Sequence, residues 1–288
     1  MTSLRARLRL YWPLIKSLQT GLLLATGMAG YMSARCPVFN IPTLAALTIT
    51  LFFSISGSTV LNMWYDRDID GSMQRTRKRP SASGSVPPRE VLLLGLALAV
   101  LGVGGALALE LRYGLVVFAG LFFDVIVYTL WLKRRTCWSI VWGGIAGAMP
   151  VLAGRVLATG TVDLVGLLLA LSVLAWIPTH ILTFSLQYSD DYRGAGVPTF
   201  PSTYGDAITR TVIAISSILA GLSIGSASIL IGVQAGYLRL MAVLAAGLLL
   251  LALATFRVRS ERLSFGLFKY ASLYMLSSMT ILSIQALP

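Results

Sequence analysis

Long apolar runs are the feature that most constrains the fold of this chain. Nine of them follow one another with brief interruptions, at about residues 10–34, 41–65, 90–110, 113–132, 138–158, 163–188, 207–231, 237–256 and 265–287. An α-helix needs roughly 20 apolar residues to cross a bilayer. Since a lipid-facing backbone must satisfy its own hydrogen bonds, such runs form helices. The sequence predicts an all-α, polytopic membrane protein of nine transmembrane helices in a single domain, residues 1–288.

The composition excludes the soluble classes of protein. Only 12% of the residues are charged and the mean hydropathy is +0.80, whereas about a quarter of residues are charged in soluble domains. The net charge of +12 would suggest a nucleic-acid partner in a soluble chain, but no separate basic domain exists here to bind one. Cys36 and Cys137 do not form a CxxC pair and are predicted on opposite sides of the bilayer, so we expect neither a disulfide nor a zinc site.

The distribution of basic residues predicts the orientation. If the N-terminus is cytoplasmic, most Lys and Arg residues lie in cytoplasmic segments, as the positive-inside rule requires. The exceptions near the outer face are Arg35, Arg112, Arg155 and Arg239. We therefore expect a cytoplasmic N-terminus and an external C-terminus. The short N-terminus without a transit peptide favours the plasma membrane of a prokaryote.

An acidic stretch, "NMWYDRDIDG" at 62–71, directly follows the second apolar run, although the chain has only eleven Asp and Glu residues. If the helix continues, Asn62, Asp66 and Asp70 share one face and Asp68 points elsewhere. Acids at a helix C-terminus oppose its dipole unless a cation offsets them. Mg²⁺ would do so, because it binds one or two carboxylates and gives its other positions to water and phosphate. Alternatively, these are ordinary loop charges that neutralise nearby arginines.

Basic stretches on the same predicted side favour the first interpretation. "MQRTRKRP" at 73–80 follows the acids, and "LKRRT" at 132–136 follows the fourth run. Acids that bind a metal and arginines that bind phosphate oxygens would together form a diphosphate site.

Four stretches resemble a known family: "NMWYDRDIDGSMQRTRKRP", "VYTLWLKRRT" from Val127, "GGIAGAMPVLAG" from Gly143, and "DYRGAGVP" from Asp191. The chain resembles the UbiA-type intramembrane prenyltransferases, whose first signature is NxxxDxxxD, and within them the branch that farnesylates haem. The residue-level resemblance runs from about Lys16 to Pro201. The Gly-rich stretch is a weak signal alone, because small residues also serve helix packing.

The resemblance implies a helical bundle around a central cavity, open to the cytoplasmic side and laterally to lipid. The implied reaction is Mg²⁺-dependent ionisation of farnesyl diphosphate, or another prenyl diphosphate, with transfer of the prenyl group to a vinyl group of haem B to give haem O. The implied partners are these substrates, the lipid bilayer, and downstream haem-processing or oxidase assembly proteins.

The resemblance also implies roles for individual residues. Asn62, Asp66 and Asp70 would hold one Mg²⁺, and Asp191 with Asp190 a second, both ions bridging the diphosphate. The implied diphosphate-binding residues are Arg75, Arg79, Lys133, Arg134 and Lys16. For Lys16, snorkelling to the lipid headgroups is an equal alternative.

Two further residues have implied roles within the spans. Tyr128, about one turn before Lys133, would close the pocket or stabilise the prenyl cation with its ring. His180 is the only histidine, eleven residues before Asp191. In the haem branch it would contact the porphyrin or handle a proton; alternatively, it is a satisfied core residue.

The sequence also departs from the family pattern. Ala195 stands where other branches have a second Asp, and Thr199 replaces the usual methionine after "GVP". Asp124 and Arg155 are ionisable residues within predicted spans, where a functional role is the default hypothesis. We expect Asp124 to meet His180 in the cavity as an acid/base or orienting pair; alternatively, Asp124 pairs with Arg155 or a buried hydroxyl.

Two other functions fit parts of the sequence. A prenyltransferase with a quinone precursor or an isoprenoid-lipid glycerol phosphate as acceptor would use the same donor site. A transporter would also have many spans and buried charges, but its binding groups are expected at the bilayer midplane, whereas these acids lie at the predicted cytoplasmic ends.

Overall fold

The structure is a computed structural model that describes residues 9–34, 40–258 and 260–285. All regular secondary structure in these residues is helical. Eight helices are long and apolar enough to cross a membrane: Ile41–Tyr65, Pro88–Leu109, Leu111–Leu132, Ser139–Thr159, Leu164–Gln187, Phe200–Ile231, Ala235–Thr255 and Arg262–Ile284. The prediction of an all-α, polytopic membrane fold is confirmed. Cys36 and Arg35 lie outside the described residues.

The helices are numbered in chain order. They are α1 (Ser17–Met32), α2 (Ile41–Tyr65), α3 (Arg67–Ser72), α4 (Pro88–Leu109), α5 (Leu111–Leu121), α6 (Ser139–Thr159), α7 (Leu164–Gln187), α8 (Ser189–Gly194), α9 (Phe200–Ile231), α10 (Ala235–Arg257) and α11 (Glu261–Ile284). Helix α5 continues directly into a π-helix over Phe122–Leu132, which is named π1.

The first predicted span is interrupted, so a ninth crossing helix over 10–34 is not confirmed. A short 3-10 helix covers Trp12–Ile15, and Lys16 then adopts a left-handed conformation with φ of 43°. Helix α1 has only 16 residues, about 24 Å of axis, which is shorter than the hydrocarbon core. Lys16 is the one non-glycine residue in the described chain with positive φ, and such strain often accompanies function.

Small residues bring the helices of the bundle close together. A Cβ atom added at Gly154 on α6 would overlap the backbone of Gly27 on α1, and one at Gly30 would overlap the backbone of Val151. Helices α2 and α4 approach in the same way at Gly57, where an added Cβ would meet the backbone of Ala99. The Gly-rich stretch of α6 therefore does serve helix packing.

The arrangement leaves some helices at the periphery. Helix α6 contacts α1, α5 and α7, while α7 also contacts α9 and α11, so these helices join the two halves of the bundle. In contrast, α4 exposes large apolar side chains such as Leu93 and Val100. Such a surface suits contact with lipid.

Helix α9 begins earlier than predicted, at Phe200 rather than near 207. Thr199 and Ser202 form a capping box at its start, and the backbone turns at Gly205, where φ is 80°. This irregular segment follows α8 and brings Thr199 and Phe200 to the wall of the cavity described next.

Candidate active site

A cavity of about 370 Å³ collects most of the predicted site residues. Its wall is built from the ends of α1, α2 and α7, from α3 and the segment after it, from π1, and from parts of α6, α8, α9 and α11. The predicted residues that line it are Lys16, Asn62, Asp66, Asp70, Arg75, Arg79, Asp124, Tyr128, Lys133 and His180. Phe268 lines the same cavity, so residues as distant in the chain as Lys16 and Phe268 share one cavity.

The acidic motif keeps its helical spacing across a break. Helix α2 ends at Tyr65 and α3 begins at Arg67, with Asp66 between them. The backbone N–H of Asp66 still donates to the carbonyl of Asn62 at 2.9 Å, and that of Asp70 to the carbonyl of Asp66 at 2.8 Å. The predicted shared face of Asn62, Asp66 and Asp70 is thus present, although the helix is kinked.

Two of the acids that line the cavity, Asp66 and Asp70, are each paired with a cation from the predicted phosphate-binding set. Lys133 Nζ donates to Asp66 Oδ2, and Arg79 Nη1 lies 2.8 Å from both carboxylate oxygens of Asp70. The acid side chains are 6% and 7% exposed, so these are buried pairs rather than loop charges in solvent. A cation beside each carboxylate allows both charges to be buried.

The donor set fits a hard divalent cation, although it is incomplete by itself. Asp66 Oδ1 is buried without a hydrogen-bond partner, and Arg134 Nη2 lies 3.8 Å from it. Such an atom in a native structure is a candidate for an ion contact. Within the described ranges, no three His, Cys, Asp or Glu side chains come close enough to hold a metal alone. Mg²⁺ would need only one or two carboxylates if phosphate and water supplied its other oxygens.

Burial and the neighbours of Lys133 act on its pKa in opposite directions. Burial by itself would lower the pKa of Lys133, but the adjacent Tyr128 and Asp66 outweigh burial and raise it above the ordinary value. The ammonium lies 5.6 Å from the Tyr128 ring centroid. A Cβ atom at Gly143 would lie 3.1 Å from that ring, so the glycine leaves room for it. Lys133 thus stays cationic in the cavity.

Arg134 is placed differently from the prediction that it binds the diphosphate. Its Nη1 and Nη2 donate to the two carboxylate oxygens of Asp68 at 2.7 Å each, and Nη2 also donates to the carbonyl of Tyr65 at 3.0 Å. The hydrogen bonds from Arg134 to the Asp68 carboxylate hold the pKa of Asp68 below its usual value. Arg134 joins the end of π1 to the acidic motif, where its Nη2 also lies 3.8 Å from Asp66 Oδ1. It is not among the described residues that line the cavity.

The second acidic stretch is also outside the cavity wall. Asp190 is 96% exposed and lies 3.6 Å from Arg193, while Asp191 is partly exposed on α8. Their neighbours Tyr192 and Val197 do line the cavity. In this structure, the residues predicted for a second Mg²⁺ are not brought together with Asp66 and Asp70.

The predicted pair of Asp124 and His180 is wrong, because each has another partner. Asp124 Oδ2 accepts hydrogen bonds from Ser58 and from Asn62 Nδ2, the latter at 3.0 Å. His180 Nδ1 lies 3.1 Å from the hydroxyl of Ser272. The alternative of a buried hydroxyl beside Asp124 is therefore the one that the structure supports.

Arg155 is the other ionisable residue that the sequence placed within a span. It pairs with Asp163, with Nη2 at 2.6 Å from Oδ2, and also donates to the carbonyl of Ser33 at 2.6 Å. Arg155 consequently joins the ends of α1, α6 and α7 and does not reach Asp124.

Aromatic side chains form a part of the site that sequence reasoning missed. The His180 ring lies between Phe268, at 4.4 Å between centroids, and Trp176, at 4.8 Å. The Arg75 guanidinium lies 4.9 Å from the Phe184 centroid. The spacing of Trp176, His180 and Phe184 at four-residue intervals on α7 was the available signal, since such residues share a helix face.

A second, smaller cavity of about 100 Å³ adjoins the first. Gln19, Thr59 and Asp124 line both cavities. The rest of its wall is largely apolar or small: Leu23, Leu51, Ser54, Ile55, Ser58, Val117, Gly120, Leu121, Gly143, Ala146, Gly147, Met149, Pro150 and Ala153. A charged compartment beside an apolar one suits an amphipathic ligand with an anionic head and a hydrocarbon tail.

Comparisons with known proteins agree with this geometry. The sequence profile of the UbiA prenyltransferase family matches residues 23–275. A Protoheme IX farnesyltransferase from Archaeoglobus fulgidus is 40% identical over 268 residues, or 92% of each chain. A digeranylgeranylglyceryl phosphate synthase has a similar fold, with a TM-score of 0.81 over 98% of this chain and 99% of that one, at 18% identity. A UbiA homologue from Archaeoglobus fulgidus bound to DMAPP and Mg²⁺ gives a TM-score of 0.70 over 96% and 99% of the two chains, at 14% identity. The chain belongs to the UbiA prenyltransferase family.

Proposed function

We propose that this protein transfers a farnesyl group from farnesyl diphosphate to a vinyl group of haem B, giving haem O. The observation that carries the proposal is the pair of adjoining cavities, one holding Asp66, Asp70 and four cations, the other largely apolar. The 40% identity to a Protoheme IX farnesyltransferase over 92% of the chain supports the choice of acceptor.

Asn62, Asp66 and Asp70 are the residues that would hold Mg²⁺ at the diphosphate. A structure of a homologue with DMAPP and Mg²⁺ supports the metal dependence. Asp66 Oδ1, which is buried without a hydrogen bond, fits it. Bound Mg²⁺ supplies positive charge that makes the diphosphate a better leaving group. A second ion would need Asp191, with Asp190, to move toward the cavity, and we propose this only for the substrate-bound enzyme.

Arg79 and Lys133 are positioned to bind the departing diphosphate. Each now donates to a carboxylate, and each can exchange that partner for a phosphate oxygen without leaving the cavity. Lys16 and Arg75 add positive charge to the same wall. Preorganised donors of this kind stabilise charge that develops on the leaving group.

The prenyl carbon–oxygen bond breaks to give an allylic cation and free diphosphate. The Tyr128 ring on the cavity wall can stabilise the cation before the terminal vinyl carbon of the porphyrin attacks it. Water then adds to the resulting porphyrin-side cation and loses a proton, which completes the hydroxyethylfarnesyl group. His180, Phe184 and Phe268 give the cavity a partly aromatic wall against which a porphyrin could lie.

The proposal is tested by incubating the purified protein with farnesyl diphosphate, Mg²⁺ and haem B, with product detection by mass spectrometry. A farnesylated, hydrated haem is expected from the wild type and not from Asp70→Asn. Parallel reactions contain an aromatic acid or an isoprenoid-lipid glycerol phosphate in place of haem. Product with one of these acceptors and none with haem would contradict the haem proposal while keeping the prenyl transfer.

We also propose that the chain forms one domain in the plasma membrane of a prokaryotic cell, with a cytoplasmic N-terminus and an external C-terminus. The excess of basic residues at one end of the spans supports this orientation. Haem O would then pass to haem-processing or oxidase assembly proteins. An alkaline phosphatase fused to the C-terminus should be active, whereas activity only of a cytoplasmic reporter would reverse the orientation.

A further inference from the structure

Asn62, a proposed metal ligand, is held on both ends of its carboxamide by residues of π1. Its Nδ2 donates to Asp124 Oδ2 at 3.0 Å, and its Oδ1 lies 2.6 Å from the hydroxyl of Thr129. That hydroxyl donates to Asn62 Oδ1 and shares its proton with the backbone carbonyl of Asp124 at 2.8 Å. Ser58, one turn earlier on α2, also donates to Asp124 Oδ2. The side chain of Asn62 therefore has one defined orientation, because a carboxylate can accept only from the amide nitrogen.

The π-helical winding makes this arrangement possible. Asp124 and Lys133 are nine residues apart, which is about two and a half turns of an α-helix and would put them on opposite faces. In π1 the hydrogen bonds span five residues, as from the N–H of Lys133 to the carbonyl of Tyr128 at 2.8 Å. Both side chains consequently reach the same cavity, where Asp124 contacts Asn62 and Lys133 contacts Asp66.

We propose that Asp124 is a positioning residue that orients the Asn62 carboxamide toward the metal-diphosphate site. Because Asp124 accepts from the amide nitrogen of Asn62, the orientation of Oδ1 is fixed. Oδ1 has two lone pairs: one accepts from Thr129, and the other is available to a cation. This inference rests on the proposed function, and it assigns a role to a residue that departs from the family pattern.

The hydrogen bonds predict how position 124 responds to substitution. One carboxylate oxygen accepts from both Ser58 and Asn62, so Asn at this position retains an acceptor for both. Leu has a similar shape and no acceptor, which leaves both donors without a partner. Residues that orient metal ligands typically contribute about 10- to 100-fold in metal affinity.

The experiment measures binding rather than turnover. Full-length protein in detergent is titrated with inorganic diphosphate by calorimetry at a series of Mg²⁺ concentrations. Asp124→Leu should raise the Mg²⁺ concentration for half-maximal binding by about tenfold or more. Asp124→Asn should raise it by less than about fivefold, since a neutral hydrogen bond replaces a charged one. Asp163→Asn is the matched control, because it removes a carboxylate that pairs with Arg155 away from the cavity. This variant should leave the Mg²⁺ concentration for half-maximal binding unchanged.

Further variants keep the test decisive if Asp124→Leu fails to fold. Thr129→Val, which loses the hydroxyl beside Asn62, should raise the Mg²⁺ concentration for half-maximal binding. Thr129→Ser, which keeps a hydroxyl, should leave that concentration at the wild-type value. In an Asn62→Ala background, the Asp124 and Thr129 substitutions should have no further effect, because both act through Asn62.

The outcomes separate this inference from the proposed function. If the wild type binds diphosphate without any need for Mg²⁺, both are rejected. If the wild type needs Mg²⁺ but Asp124→Leu and Thr129→Val behave like the wild type, only the positioning role is rejected. Equal damage from Asp124→Asn and Asp124→Leu would also overturn it, because charge rather than orientation would then be the contribution of Asp124.

Discussion

Three aspartates of one short motif have different environments, although they lie within five residues. Asp66 and Asp70 face the cavity and bind Lys133 and Arg79, whereas the side chain of Asp68 is 61% exposed and binds Arg134. The helical period accounts for this difference, because Asp68 lies half a turn from its neighbours. Identity of residue type therefore does not imply identity of role in this motif.

Substitution of the three aspartates should separate these roles. Asp66→Asn and Asp70→Asn should each lower kcat/KM by at least about a hundredfold, since they remove charge that the site needs for the leaving group. Asp68→Asn should leave kcat/KM nearly unchanged, because an exposed ion pair contributes little. Steady-state rates with farnesyl diphosphate and haem B measure this. Equal loss in all three variants would show that the shared face is not the functional one.

His180 should affect acceptor use and not donor use. It stacks between Trp176 and Phe268, and the hydroxyl of Ser272 lies beside its Nδ1. His180→Leu should raise the KM for haem B about tenfold or more, because a loss of roughly 1.4 kcal/mol of binding energy weakens binding tenfold. Mg²⁺-dependent diphosphate binding, measured by calorimetry, should stay as in the wild type. A loss of diphosphate binding would instead place His180 in the donor site.

At the scale of helices, most boundaries follow from local sequence, and the irregular parts do not. The apolar runs predicted eight of the long helices to within a few residues, apart from the early start of α9. The break at Lys16 and the π-helical winding of π1 were not predicted. Both lie at the cavity, where contacts with other helices override the regular α-helical hydrogen bonding.

The close contact of α1 and α6 gives a prediction about stability. Gly154→Ala would place a methyl group against the backbone of Gly27 and Tyr31, which cannot move aside as a side chain can. We expect a destabilisation of about 1–3 kcal/mol or more, seen as a lower Tm in detergent. Gly225→Ala on α9 is the control, because nothing lies within 4 Å of its added Cβ atom. An unchanged Tm for Gly154→Ala would mean that the two helices do not pack this closely.

At the scale of the whole molecule, the charged cavity and the largely apolar cavity lie side by side and share part of their walls. They meet at Gln19, Thr59 and Asp124, which come from α1, α2 and π1. No single helix supplies this shared wall, so it depends on how the helices pack. In the proposed function, the diphosphate occupies the charged part and the prenyl chain extends into the apolar part.

The size of the apolar cavity should set the preferred prenyl length. Ala146 on α6 lines this cavity, which has a volume of about 100 Å³. Ala146→Phe should fill it and lower kcat/KM for farnesyl diphosphate relative to geranyl diphosphate by about 10- to 100-fold, as expected when a pocket loses room for one apolar group. Competition between the two donors measures the ratio. An unchanged ratio would place the prenyl chain elsewhere.

The sequence by itself determined which segments form the eight long helices and which residues of the acidic motif share a face. Both depend on local periods, because a run of apolar residues or a four-residue spacing acts within one helix. Only the tertiary structure decided that Asp66 contacts Lys133 and that Arg134 hydrogen-bonds to Asp68. It also decided that Asp124 contacts Asn62 rather than His180. Those contacts join residues more than 60 positions apart, so they depend on helix packing and on the winding of π1, which no local period encodes.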